Sequence, residues 1–192
     1  MYEIVVCSSS GGGNFESILK NEDKIGYKVT LLIVDRECGA IEKAVKYKIP
    51  FKVIDFAVSN MDKSDELDRL LPLETNLIVL AGYMPIISNK ICEKWKGKLI
   101  NTHPSLLPNY GGLGMYGVKV QEAVMAAKEI YAGCSVHYVS GSVDMGEVIR
   151  QKSIKINYEE TPWELGGHIH KLERDLLIEV ISILKSKTIS RD

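Results

Sequence analysis

Asn101 and His103 stand two apart in the run Ile100-Asn101-Thr102-His103-Pro104, at the end of a short apolar stretch. In extended backbone such residues share a face, so the amide and the imidazole would point the same way. An amide donor beside an imidazole can stabilise a developing oxyanion, and the imidazole can move a proton near neutral pH. The other reading of the pair is a turn closed by local hydrogen bonds. Pro104 and Pro108 stiffen the chain just beyond the pair. A second chemical cluster is Ser8-Ser9-Ser10-Gly11-Gly12-Gly13-Asn14, which comes after the apolar run Ile4–Cys7. Its glycines let backbone N–H groups approach a ligand, and a helix starting there adds unpaired donors and partial positive charge, so the loop suits a phosphate. No Lys-Ser/Thr pair completes a Walker loop. The dinucleotide pattern GxGxxG is met at Gly11 and Gly13, with Glu16 in its third place. Asp35 lies where a dinucleotide fold puts a ribose-binding acid, so an NAD-binding oxidoreductase is the competing reading.

Those groups need a scaffold, and the chain alternates short β-branched runs with amphipathic ones. Apolar runs fall at Ile4–Cys7, Val29–Val34, Phe51–Ile54, Leu77–Ala81 and Leu99–Ile100. Helical patterns fall between them at 15–22, 39–48, 63–74 and 87–96, with Pro72 inside the third. The pattern predicts an α/β fold: an open, mostly parallel twisted sheet with helices on both faces. After residue 117 it predicts a helix at Val118–Lys128, two antiparallel strands at Ala132–Val139 and Gly146–Ile156, and a long closing helix. That helix opens on a capping box, Thr161-Pro162-Trp163-Glu164. Leu165, Ile169, Leu172, Leu176, Val180 and Leu184 then form one apolar stripe.

The chain has 192 residues, 45% of them apolar, and a net charge of −1. This predicts one domain over 1–192 and argues against non-specific nucleic-acid or membrane binding. No signal peptide or membrane span is expected. Cys7, Cys38, Cys92 and Cys134 form no CxxC pair, which predicts reduced thiols and a cytoplasmic protein. His168 and His170 face different sides of a helix, and no other Cys/His cluster exists, so no metal is expected.

The segment INTHPSLLP resembles the signature of the folate-dependent formyltransferases, on the branch serving purine biosynthesis. The likeness runs through IVVCSSSGGGNFESIL, LIVLAGYMPIIS and GMYGVKVQEAVMAAKE to GCSVHYVSGSVDMGEVI. It implies the family's Rossmann-like fold, 10-formyltetrahydrofolate as cosubstrate, no metal, and glycinamide ribonucleotide as the amine acceptor. Among other acceptors, a sugar nucleotide is the alternative. The family's Asn, His and Asp are matched by Asn101, His103 and Asp144, although Asp144 also reads as a hairpin turn residue. Gly12, Gly13 and Asn14 match the end of the phosphate loop. Glu173 matches the acid that receives the acceptor's amine end, with His170 one turn before it. Met84, Pro85, Ile86 and Ile87 match a wall of the folate pocket, which also reads as buried core. The backbone at Val139, Ser140 and Gly141 is expected against the pteridine, and Asn101 also faces the folate. The resemblance thus puts the ribonucleotide in the N-terminal half, and folate and catalysis in the C-terminal half.

Four positions depart from the family pattern. Gly13 replaces a common Ser and removes a hydroxyl, which Ser10 can supply. Pro85 replaces a common Arg, Ser64 (beside Lys63) a basic residue, and His170 a common Gln. His137 shares a strand face with Ser135 and Val139, and reads either as support behind the site or as packing. The Gly-rich loop 108–117 could move as a lid. Relatives acting on methionyl-tRNA add a basic C-terminal domain, and the deformylases add an N-terminal one. The length of this chain predicts neither.

Overall fold

In the computed structural model, residues 1–54 and 63–189 are described, without the side chains of 63, 64 and 189. The order is β1 (Tyr2–Ser8), α1 (Gly13–Lys20), α2 (Glu22–Ile25), β2 (Tyr27–Val34), α3 (Gly39–Tyr47), β3 (Phe51–Val53) and α4 (Lys63–Leu70). Next come β4 (Leu77–Leu80), α5 (Asn89–Lys94), β5 (Leu99–His103), α6 (Val118–Ala126), β6 (Tyr131–Tyr138), β7 (Val148–Lys155) and α7 (Pro162–Ile189).

The seven strands form one sheet in the order β3-β2-β1-β4-β5-β6-β7. The pairs among β1 to β5 are parallel, and β6 and β7 pair antiparallel. The chain winds outward from β1 to β3, then returns to β4 on the other side of β1. That reversal opens a crevice at the carboxyl ends of β1 and β4, the usual place for a ligand in such sheets.

Side-chain alternation explains the two layers. Ile4 and Val6 of β1 join the core under α1, α3, α6 and α7, while Val5 and Cys7 join the core under α4 and α5. Strands buried on both faces read as continuous apolar runs, which is the pattern of β1, β2 and β4.

Three helical patterns are shorter than their periodicity suggests. α4 stops at Leu70, before Pro72, whose ring cannot continue a helix. The 15–22 pattern breaks at Asn21, which separates α1 from α2. α5 occupies 89–94 of the expected 87–96. By contrast, β5 runs on to His103, so Asn101 and His103 are strand residues, opposite His137 and Ser135 of β6.

The capping box forms as expected. The Thr161 N–H donates to Glu164 Oε2 at 2.8 Å, and the Glu164 N–H returns to Thr161 Oγ1 at 3.3 Å. Leu165, Ile169, Leu176, Val180 and Leu184 of α7 are buried, with Leu177 and Ile181 widening the stripe. β7 lies at the edge of the sheet, and its Arg150 and Lys152 both pair with Glu179 of α7, at 3.0 and 2.9 Å. Among the described residues no helix is long and apolar enough to cross a membrane.

Because Leu176 is fully buried where α7 meets the sheet, Leu176→Ala should cost about 2–5 kcal/mol in urea unfolding.

Candidate active site

The crevice is a cleft of about 670 Å³, within the usual size for a small-molecule site. Its middle is built by β5 and the turn after β6. The antiparallel register puts Asn101 beside His137, and Asn101 Nδ2 donates to His137 Nε2 at 3.2 Å. The His137 Nδ1–H donates to the Tyr138 carbonyl at 2.9 Å, which leaves Nε2 as the acceptor. Burial pushes the pKa of His137 below the ordinary imidazole value, in keeping with that neutral tautomer. His137 is therefore support behind Asn101 as well as packing.

Asp144 comes back to the same spot from the β6–β7 connection. Its Oδ2 lies 3.3 Å from His103 Nδ1 and accepts the Gly112 N–H at 3.0 Å. Its Oδ1 lies 3.5 Å from Asn101 Nδ2 and 3.6 Å from His137 Nε2. The other His103 nitrogen, Nε2, donates to the Tyr110 carbonyl at 2.9 Å. Both ring nitrogens thus face oxygen atoms, which fixes the plane of the imidazole. Tyr110 and Asp144 both have positive φ, 55° and 57°. For Tyr110 this is a sterically costly conformation, and its hydroxyl is anchored on Glu129 Oε1 at 2.8 Å.

The Gly-rich loop lines the cleft as well. Gly12 has φ 71° directly before α1, and a Cβ there would stand 2.8 Å from the Ala40 backbone, so glycine is required by both conformation and space. Glu16, in the third place of the dinucleotide pattern, is tied to Lys43 and Lys20, whose hydrogen bonds hold its pKa down to about 2. Asp35 is buried, paired with Arg36 at 2.6 Å, and is not part of the cleft wall. Beside the loop, buried Glu173 accepts the Thr102 hydroxyl at 2.9 Å and His170 Nδ1 at 2.7 Å.

Next to the loop, whose Ser9 Oγ accepts the Met84 N–H at 2.8 Å, stand Met84 and Ile86, both exposed, with Pro85 between them. Ile87 is buried, so it serves the core and the wall together. Val139, Ser140 and Gly141 face them, and a side chain at Gly141 would collide with Asn89.

Every residue singled out from the sequence for catalysis, phosphate or folate lines this one cleft. The departure read at Ser64 and Lys63 lies outside the described side chains. The sequence reading missed Thr102, Tyr110 and Arg174. Thr102 was legible in principle, since it alternates with Asn101 and His103 and must face the opposite layer. Tyr110 acts through its backbone carbonyl and leaves no side-chain signal. Arg174 could have been found from its place four residues after His170 on the same helix. Among the described residues no group of three or more His, Cys, Asp or Glu could hold a metal ion.

An amide, an imidazole and a carboxylate meet in one cleft with a Gly-rich loop and an apolar segment, an arrangement suited to group transfer. A family profile, "Formyl transferase", matches residues 2–181, and the chain belongs to that family. It is 33% identical to the phosphoribosylglycinamide formyltransferase of Bacillus subtilis, over 96% of this chain and 95% of that one. It is 30% identical to the chloroplastic phosphoribosylglycinamide formyltransferase of Arabidopsis thaliana, covering 95% of this chain but only 65% of that protein's length. Among solved structures, the phosphoribosylglycinamide formyltransferase of Coxiella burnetii superposes with a TM-score of 0.86 at 32% identity. That match covers 94% of this chain and 85% of the other.

The hydrogen bond to Glu173 raises the pKa of His170 above its ordinary value of 6.5, against the opposing effects of burial and of Arg174. The pair's contribution to stability is therefore complete below the unfolded value and is lost as pH climbs through the raised one. Comparing wild type with His170→Gln by urea unfolding from about pH 5.5 to 8.5, the stability gap should shrink as pH rises. A gap that widened with pH would contradict the assignment.

Proposed function

We propose that this chain transfers the formyl group of 10-formyltetrahydrofolate to the amino group of glycinamide ribonucleotide, a step of purine biosynthesis. The supporting observation is the contact of Asn101, His103 and Asp144 in one cleft that the Gly-rich loop and the apolar segment Met84–Ile87 also line. The phosphate of the acceptor would lie on Gly12, Gly13 and Asn14, with its amine end toward Glu173. The folate ring system would lie against Met84–Ile87 and the backbone of Val139–Gly141. Both partners are small molecules.

The chemistry derives from this placement. A neutral amine attacks the formyl carbon, and negative charge builds on the formyl oxygen. One Asn101 N–H is held by His137. The other, whose 3.5 Å contact with Asp144 is at the limit of a hydrogen bond, is the donor available to that oxygen. His103, held between Tyr110 and Asp144, adds a second polar group that favours the charge. As the tetrahedral intermediate collapses, the amine loses a proton and the folate nitrogen gains one. Asp144 is the carboxylate within reach to relay it, through water where needed.

We further propose that the chain works as a single catalytic domain, with the cleft lined from both halves of the sequence. We assign it to the cytoplasm, on its four unpaired cysteine thiols and on substrates that would be water-soluble. The oxidoreductase reading finds no footing in the cleft, because Asp35 lies outside its wall and is occupied by Arg36.

The direct test is to mix the protein with 10-formyltetrahydrofolate and glycinamide ribonucleotide and track the folate product by absorbance, with an amine-free control. Amine-dependent turnover is expected. Turnover without amine would instead mark a hydrolase, and saturable folate binding without turnover would reopen the acceptor. In the same assay Asn101→Ala should lower kcat by roughly 10²–10³, the usual penalty for one oxyanion donor. A variant as fast as wild type would remove Asn101 from that role.

A further inference from the structure

We propose that Arg174 grips the acceptor's phosphate in place of the loop hydroxyl that Gly13 lacks, and thereby selects acceptors ending in a phosphomonoester. This rests on the acceptor class proposed above. Arg174 comes directly after Glu173 on α7 and stands one turn beyond His170, so the two side chains share a helix face. Both line the cleft. The guanidinium lies against Gly13: a Cβ there would come within 2.8 Å of Arg174 Nη2 and 3.4 Å of its Cζ. Glycine at 13 is what gives the guanidinium its place.

The charges around it are otherwise assigned. Glu173, the carboxylate beside it in sequence, is committed to Thr102 and His170. Among the described residues no carboxylate forms an ion pair with Arg174. Arg174 thus brings an uncompensated positive charge up to the start of α1, whose first N–H groups also favour an anion. Like charges converge there, and a dianion is the species that resolves the conflict. A terminal phosphate offers three oxygens, two to the planar guanidinium and one to the loop N–H groups. A phosphodiester, as in a sugar nucleotide, has one fewer free oxygen and half the charge per phosphorus. The same Arg174 therefore disfavours that alternative acceptor.

The test combines ribose 5-phosphate binding by calorimetry with the KM for glycinamide ribonucleotide. It uses wild type, Arg174→Ala, Arg174→Lys, Gly13→Ser and the Gly13→Ser/Arg174→Ala double variant. Arg174→Ala should weaken ribose 5-phosphate binding and raise KM, each roughly 10- to 100-fold, the loss expected for a charge-assisted contact. kcat and the Kd for 10-formyltetrahydrofolate should stay near wild type, which also shows that the variant is folded. Arg174→Lys should recover part of the loss. Gly13→Ser should weaken phosphate binding when Arg174 is present, by displacing it. In the Arg174→Ala background it should strengthen binding, by restoring a hydroxyl. Unchanged ribose 5-phosphate binding in Arg174→Ala would overturn the proposal, as would a Gly13→Ser effect of the same sign in both backgrounds. If glycinamide ribonucleotide is formylated but KM ignores Arg174, this proposal fails and the acceptor stands. If ribose 5-phosphate binding needs Arg174 but glycinamide ribonucleotide is not formylated, the acceptor fails and the phosphate grip stands.

Discussion

β5 runs parallel to β4 on one side and antiparallel to β6 on the other, and the side chains proposed for the chemistry take their positions from that junction. The register sets Asn101 against His137 and His103 against Ser135. Strand side chains alternate, so a slip of one residue would turn Asn101 and His103 into the opposite layer and bring Thr102 forward. The same alternation now sends Thr102 to Glu173, on the far side of the strand from His137. Three consecutive residues of one strand therefore serve both layers beside the cleft.

Such a junction buries polar groups, and each needs a partner. The Ser135 hydroxyl donates to the Ser105 carbonyl at 2.6 Å and accepts the Leu107 N–H at 3.0 Å. Gln151 Nε2 reaches both Ser135 Oγ and the Leu107 carbonyl at 2.8 Å, and Gln121 Nε2 reaches the Pro104 carbonyl at 2.8 Å. The segment after His103 is thus pinned by side chains from β6, β7 and α6. This is why a loop without regular structure can present the Tyr110 carbonyl to His103 at a defined place. The constraint is local and polar, while the two apolar layers supply the general stability.

Much of this was legible in the amino-acid sequence. The period-two and period-3.6 patterns placed all seven strands and the longer helices, because those patterns report burial directly. The run from Asn101 to Pro108 and the turn holding Asp144 pointed to the proposed chemistry through their resemblance to the family, since residue type alone also allowed plain turns. The illegible parts are those set by long-range geometry. The end of β5 at His103 depends on pairing with β6, which no local window contains. Tyr110 enters through a carbonyl and a positive φ, neither of which residue type encodes. Arg174 matters because Gly13, far away in the chain, leaves it room. The helix over 63–74 was overread because its periodicity outlasts Leu70, whereas Pro72 cannot join it.

β7 carries a consequence of another kind. An outer strand presents a row of open N–H and C=O groups, on which a second copy could add by strand pairing and begin to aggregate. Here Arg150 and Lys152 project from that strand and are held by Glu179 of α7. An incoming strand would meet two fixed cations, and pushing them aside would break their pairing with the helix that closes the fold. The side chains that fasten α7 to the sheet therefore also guard the protein's colloidal behaviour at this border, keeping the edge of the sheet an end rather than a template.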